Sequence, residues 1–171
     1  KMMDVNFYGV LSCARAVLPS LRASKGRLVV ISSVAGRRGA PGGSGYNASK
    51  FAVGGWAEAL SYEMEPFGVS VSLIEPGPVK TGFFDTRWGG NAPEGSPYAE
   101  ITEHLIQRLD GVRKKWVDVS DVGRQVERQL TSAKPSFRVV VGIKNKAQVT
   151  VSRQLPEPLW RAIVRRAVGL S

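Results

Sequence analysis

The stretch Ser33-Val34-Ala35-Gly36-Arg37-Arg38-Gly39-Ala40-Pro41-Gly42-Gly43-Ser44-Gly45-Tyr46-Asn47-Ala48-Ser49-Lys50 decides how this chain is read. It begins where the apolar run Leu28-Val29-Val30-Ile31 stops, crosses a loop crowded with Gly and Pro, and enters a helical segment. The β-branched run predicts a buried parallel strand, and open α/β sheets bind their ligands beyond the carboxyl ends of such strands. In the helix, positions i and i+4 share a face about 6 Å apart in rise. An ammonium at position 50 therefore lies beside a phenol at position 46. A free phenol titrates near pH ~10, each unit of lowering needs about 1.4 kcal/mol, and a neighbouring cation pushes in that direction. The hydroxyl of Ser33, or of its rival Ser32, is returned over the helix start by the loop and can donate to a substrate oxygen. Tyr46, Lys50 and this serine predict an acid/base centre for a carbonyl or an alcohol.

The arrangement resembles the short-chain dehydrogenase/reductase family, whose active site has a Ser about thirteen residues before Tyr-x-x-x-Lys, the spacing from Ser33 to Tyr46 here. The flanking Val29-Val30-Ile31-Ser32-Ser33-Val34-Ala35-Gly36 and Ala48-Ser49-Lys50 match as well and favour Ser33 over Ser32. Asn6-Phe7-Tyr8-Gly9 matches the family's Asn-x-x-Gly, and Pro76-Gly77-Pro78-Val79-Lys80-Thr81 its Pro-Gly-x-Val-x-Thr. The resemblance implies an α/β fold, a Rossmann-type doubly wound parallel sheet, and an oxidoreductase that interconverts an alcohol and its ketone or aldehyde with NADP or NAD. It implies four catalytic positions. Tyr46 is the acid/base and also contacts the cofactor, Lys50 favours the phenolate and holds the ribose, Ser33 binds the substrate oxygen, and Asn6 holds a water that links the Lys to solvent. It implies that Pro76, Gly77, Val79 and Thr81 lie along the nicotinamide, with the Val79 backbone toward the carboxamide. Pro and Gly suit that role, because they turn the chain and let backbone approach a flat ligand. Within the family, the segment from Ser72 to Phe83 and the Leu155-Pro156 tail look like the hydroxysteroid and retinol dehydrogenase-like branch, which implies a bulky apolar substrate.

At 171 residues the chain is long enough for one domain with a real core. No run approaches the ~20 apolar residues of a membrane span. Lys1-Met2-Met3-Asp4-Val5-Asn6 reads as mid-helix, neither a signal peptide nor a natural start. One cysteine excludes an internal disulfide, and with one histidine it leaves metal-ligand sets thin, so no metal is expected. Cys13 is expected to be a small buried hydrophobe. A cytoplasmic location is compatible with this cysteine usage. The net charge of +10 is uneven: residues 1–110 carry +1 and residues 111–171 carry +9. A solvated basic surface is the favoured reading over an anionic partner, and no nucleic-acid motif accompanies the charge.

Along the chain, Val5, Tyr8, Val10, Leu11, Ala14, Val17, Leu18 and Leu21 predict a first helix over residues 1–23, interrupted near its end by Pro19. A helix over 46–66 carries Tyr46 and Lys50; in the family it commonly builds a dimer interface, which implies a homo-oligomer. A strand follows over 68–75. Residues 82–116 mix Phe83, Phe84, Trp88 and Tyr98 with Gly and Pro and are expected to form a substrate lid, with His104 on a helix over 98–109 at the surface or in the lid. A helix from Asp118 to about Leu130 and a strand over 137–142 come next. The tail over 153–171 is a basic amphipathic helix, read as closing the domain in preference to lying on a membrane. Gly43-Ser44-Gly45-Tyr46-Asn47-Ala48 fits a dinucleotide fingerprint by letter, but stands too far from the strand to act as one. Asn47-Ala48-Ser49 is a sequon on a helix, where glycosylation is not expected.

The resemblance covers about the latter two thirds of the family's length. The family's Thr-Gly-x-x-x-Gly-x-Gly loop, which cradles the pyrophosphate, is not among these residues. Without that half, the strand over 29–31 is expected to be a bare apolar edge, and this chain alone is expected to bind cofactor poorly. The competing reading is a non-catalytic remnant that serves as an interaction or dimerisation module.

Overall fold

The computed structural model describes residues 1–83, 92–113 and 116–169. Three strands form one parallel sheet: β1 (Arg27–Ile31), β2 (Ser70–Pro76) and β3 (Arg138–Val141), in the order β1-β2-β3. The register sets Arg27 against Ser70 and Leu73 against Arg138. β2 is central and almost wholly buried, as expected of a parallel strand covered on both faces. No strand pairs with the outer edge of β1 among the described residues.

Two helical layers cover the sheet. On one face lie α1 (Gly9–Ser24) and α2 (Ser44–Met64). Val30 and Leu73 meet Val53 and Ala57 of α2 there, and Val71 meets Leu60 and Met64. On the other face α4 (Val119–Thr131) lays Val122 and Val126 on Ile74, Val117 and Val141. Leu73, Ile74 and Val53 are fully buried, and burial of such side chains contributes about 1.5–3 kcal/mol each. α4 starts where expected, the Asp118 N–H donating to the Asp121 carboxylate at 3.4 Å. Helices α3 (Ala99–Val112), α5 (Ile143–Gln154) and α6 (Glu157–Ala167) complete the α-helices among the described residues.

Several expectations need correction. Cys13 is exposed, because Ala14, one position (about 100° of helix turn) further round α1, is the residue that faces inward. Val5, Tyr8 and Val17 are also exposed, since Phe7, Val10, Leu18 and Leu21 make the contacts to the core. Pro19 does not interrupt α1, which runs through it to Ser24. The α5 helix was not foreseen; its sequence, Ile143-Lys144-Asn145-Lys146-Ala147-Gln148-Val149-Thr150-Val151-Ser152, mixes β-branched and polar residues without a clear apolar stripe. Phe84 and Trp88 of the expected lid lie outside the described residues.

Candidate active site

The residues singled out in the sequence gather at the carboxyl ends of β1 and β2. Ser32 and Ser33 follow β1 directly, and Ser33 caps a short 3₁₀ turn, Val34–Gly36. Its Oγ accepts the Ala35 N–H at 3.2 Å and donates to the Pro76 carbonyl at 3.3 Å. That single hydroxyl ties the loop after β1 to the end of β2. Ser32 has a different job: its Oγ donates to the Lys50 carbonyl at 3.4 Å, a structural contact between strand and helix.

Tyr46 and Lys50 stand on the first turns of α2, both half-buried. The Lys50 Nζ lies 5.8 Å from the Tyr46 ring centroid and donates to the Ile31 carbonyl at 3.4 Å. Burial pushes the Lys50 ammonium below its usual value, because the charged form loses water. Phe83 packs against the Tyr46 ring, the centroids 5.5 Å apart. The loop passes very close to α2: a Cβ on Gly36 would sit 2.6 Å from the Lys50 carbonyl oxygen. Only glycine fits this approach.

Asn6 lies within a π-helical turn, Asp4–Tyr8, that leads into α1. Such turns widen a helix and redirect its side chains. Asn6 Nδ2 donates to the Ser49 Oγ at 3.1 Å, and Ser49 donates to the Tyr46 carbonyl at 2.7 Å. The first helix is thereby joined to the turn that carries Tyr46 and Lys50.

The segment after β2 leaves the sheet as a bent strap, held to Val117 by one isolated parallel bridge at Val79. Val117 donates to the Pro78 carbonyl and accepts the Lys80 N–H, both at 2.9 Å. These two bonds flank Val79, as in any parallel bridge, so its own N–H and carbonyl turn the other way. The carbonyl there accepts the Thr81 N–H at 2.8 Å. Thr81 Oγ1 accepts the Phe83 N–H at 3.3 Å. A Cβ on Gly77 would fall 2.3 Å from the Asn145 side chain, so α5 presses on the strap.

Sequence reasoning missed three supports. Asn47 is buried and donates to the carbonyls of Ala35 and Arg38, at 3.0 and 2.9 Å, clamping the loop onto α2. Both of its N–H groups are engaged, so the sequon is not presented for modification. Arg38 reaches outward to Glu157 at 2.9 Å and to the Ser152 carbonyl at 2.6 Å, and stacks 5.5 Å from the Trp160 ring centroid, docking α6 on the loop. Glu75, 1 % exposed, carries Arg37 and Arg138. A lone acid in the apolar run Val71-Ser72-Leu73-Ile74-Glu75 was the available signal for the last of these. His104, on α3, faces Gly169, and Arg108 of the same helix donates to the Ala167 carbonyl at 3.0 Å. A cleft of about 900 Å³ lies apart from Ser33, Tyr46 and Lys50, on the β3 side; its charged lining residues are Arg37, Arg128, Arg138 and Lys146.

A parallel sheet with such a cluster at its carboxyl ends defines a Rossmann-type α/β protein with an acid/base centre in the position where these folds bind nucleotides. The family model for short chain dehydrogenases matches residues 1–90. The chain is 35 % identical over 145 residues to 3-ketodihydrosphingosine reductase of Bacteroides thetaiotaomicron, covering 82 % of this chain and 53 % of that protein. It is 35 % identical over 153 residues to human dehydrogenase/reductase SDR family member 9, covering 82 % and 47 %. Among solved structures, a short chain dehydrogenase/reductase from Burkholderia phymatum in complex with NAD superposes with a TM-score of 0.70 at 25 % identity, over 89 % of this chain and 56 % of that one. A short chain dehydrogenase from Burkholderia cenocepacia in complex with NADP shares the fold, with a TM-score of 0.70 at 20 % identity, over 95 % and 56 %. This chain belongs to the short-chain dehydrogenase/reductase family of oxidoreductases. It spans about half the length of the curated relatives it matches.

Proposed function

We propose that this chain is the catalytic half of an NAD(P)-dependent oxidoreductase that interconverts a primary or secondary alcohol and its aldehyde or ketone. The observation that carries the reading is the convergence of Ser33, Tyr46 and Lys50 at the ends of β1 and β2, beside a strap whose backbone is turned outward at Val79. The donor set suits a nicotinamide. Val79 turns its N–H away from Val117, and its carbonyl keeps a second lone pair beside the one that the Thr81 N–H takes, the donor and acceptor that a carboxamide needs; Lys50 offers a cation to ribose hydroxyls. Pro76 and Gly77 set the turn that brings the strap there. The nicotinamide, when bound, supplies or takes up hydride. Related solved structures hold NADP or NAD, and this segment does not choose between them.

The protein's own residues handle the proton. In reduction, Tyr46 gives its phenolic proton to the carbonyl oxygen as negative charge builds there; in oxidation it takes the proton from the alcohol. The Lys50 cation beside the ring stabilises the charge that develops on the phenol oxygen. Ser33 turns its hydroxyl from the Pro76 carbonyl to the substrate oxygen, keeping its acceptor contact with the Ala35 N–H. Asn6, through Ser49, fixes the turn that carries Tyr46 and serves the path by which the proton is replaced from solvent. Relatives named as acting on ketodihydrosphingosine and retinol support a bulky apolar substrate, and the Phe83 ring against Tyr46 supplies an apolar wall. Among the described residues of the expected lid, Phe83 and α3 serve to cover the substrate, and α6 closes the domain against Arg38 with its arginines as a basic outer face. No described helix is long and apolar enough to cross a membrane.

The test is turnover of an apolar ketone or alcohol with NADPH and NADH by the protein carrying its nucleotide-binding half, against Tyr46→Phe. The variant is expected to lose about 10²–10⁴-fold in kcat while cofactor fluorescence titration stays unchanged. Equal turnover by Tyr46→Phe overturns the assignment.

A further inference from the structure

Glu75 sits on the central strand, 1 % exposed, one residue before Pro76. A buried ion pair is weak support for stability, since apolar residues of the same volume often do as well or better. Its presence here calls for another explanation. The carboxylate is fully engaged: Arg37 Nε donates to Oε1 at 2.8 Å and to Oε2 at 3.0 Å, Arg37 Nη2 donates to Oε2 at 2.7 Å, and Arg138 Nη1 donates to Oε1 at 3.0 Å. Arg138 uses its other terminal nitrogen on Glu58 of α2. Two arginines and two glutamates thus form a neutral cluster.

The cluster closes a ring around Ser33. From Ser33 the chain makes one 3₁₀ turn, with the Gly36 N–H on the Ser33 carbonyl at 2.9 Å and the Arg37 N–H on the Val34 carbonyl at 3.0 Å. The Arg37 side chain then reaches Glu75, whose neighbour Pro76 accepts the Ser33 hydroxyl. Loop and strand are joined at two points, one on each side of the serine turn. Through Glu58 and Arg138 the same cluster binds α2, which carries Tyr46 and Lys50, and β3. A planar guanidinium fork holds a carboxylate in fixed orientation, which a lysine ammonium cannot do.

We propose that Arg37 and Glu75, completed by Arg138 and Glu58, are positioning residues that hold the Ser33 hydroxyl in register with Tyr46. The inference rests on the reading of Ser33 as the group that binds the reacting oxygen. Neither arginine nor glutamate touches substrate; each acts through the serine turn.

The test is Arg37→Lys, which keeps the charge and loses the fork, and Arg37→Ala with added guanidinium. Amide hydrogen exchange at Ala35 and Gly36 reports the turn, and kcat and KM report the chemistry. Exchange is expected to quicken about 10-fold in both variants, with kcat falling and the cofactor KM unmoved. Guanidinium, but not ammonium, is expected to restore Arg37→Ala. Unchanged exchange in a folded Arg37→Lys overturns the proposal, as does faster exchange with undiminished kcat. If Arg37→Ala does not fold, Arg37→Lys decides alone. All turnover is read in the protein that carries its nucleotide-binding half; if that unmodified protein turns over nothing, the catalytic reading fails by itself, and slow exchange restored by guanidinium still supports the ring.

Discussion

Lys50 has two demands on it. In the proposed mechanism its ammonium stays charged beside Tyr46, yet burial favours the neutral form and pushes its titration below the ordinary lysine value of 10.5. The folded state therefore gives up this proton at a lower pH than the unfolded chain does. Between the folded value and 10.5 the unfolded chain binds more protons, so stability rises with pH across that window. Below the window the cost of burying the charge is present in full. Lys50→Met is expected to flatten this alkaline rise in Tm, measured by thermal melts at stepped pH. An unaltered slope would mean that the ammonium is not desolvated. The pairing of Tyr46 with Lys50 was legible from spacing alone, because a helix places i and i+4 on one face whatever surrounds it. The Lys50 contact with the Ile31 carbonyl was not, since nothing local brings residue 31 to residue 50.

The working contacts at the scale of elements run between the loop after β1 and the start of α2. Gly36 lets the two backbones meet, and Asn47 clamps them from the helix side. A Cβ at position 36 faces backbone rather than a side chain that could swing away. Gly36→Ala is therefore expected to destabilise by about 1–3 kcal/mol, read by denaturant titration, and to lower turnover more than Tm by shifting Ser33. Full activity in Gly36→Ala would show that the loop yields without moving the serine. β1, β2, β3 and the helices α1, α3, α4 and α6 were legible because each has a clear period or β-branched run, and α2 because it carries the Tyr46 and Lys50 pattern. α5 was not, because it has no clear apolar stripe and its contact with the strap rests on Asn145, whose neighbour Gly77 lies far away in sequence.

For the whole molecule, the charge and the apolar surface are divided. The basic excess falls on residues 111–171, while the exposed face of α2 carries Phe51 and Tyr62, 45 % and 66 % exposed, with exposed Gly55 and Ala59 between them. Aromatic side chains flanking small residues suit close helix pairing with a second copy. Homodimerisation through this face is proposed, and sedimentation at micromolar concentration checks it. Gly55→Arg, at a position with open space around it, is expected to give monomers with an unchanged fold. Monomers in the unmodified protein would exclude this interface. The edge of β1, which pairs with no strand among the described residues, gives a second route to association, distinguishable because Gly55→Arg leaves it intact.

The sequence by itself determined the family resemblance, the parallel sheet and the candidate triad, because these rest on short-range spacing and on periods that each element carries within itself. The tertiary structure alone decided which charges are buried together and which apolar residues face outward. Arg37 and Glu75 lie 38 residues apart and Arg138 and Glu58 lie 80 apart; the apolar run around Glu75 marks it as buried, but its partners look like surface residues until the sheet order brings them to it. Cys13 and Ala14 read alike in sequence, and the packing of α1 on the sheet separates them, since one helical step of about 100° turns one inward and the other to solvent.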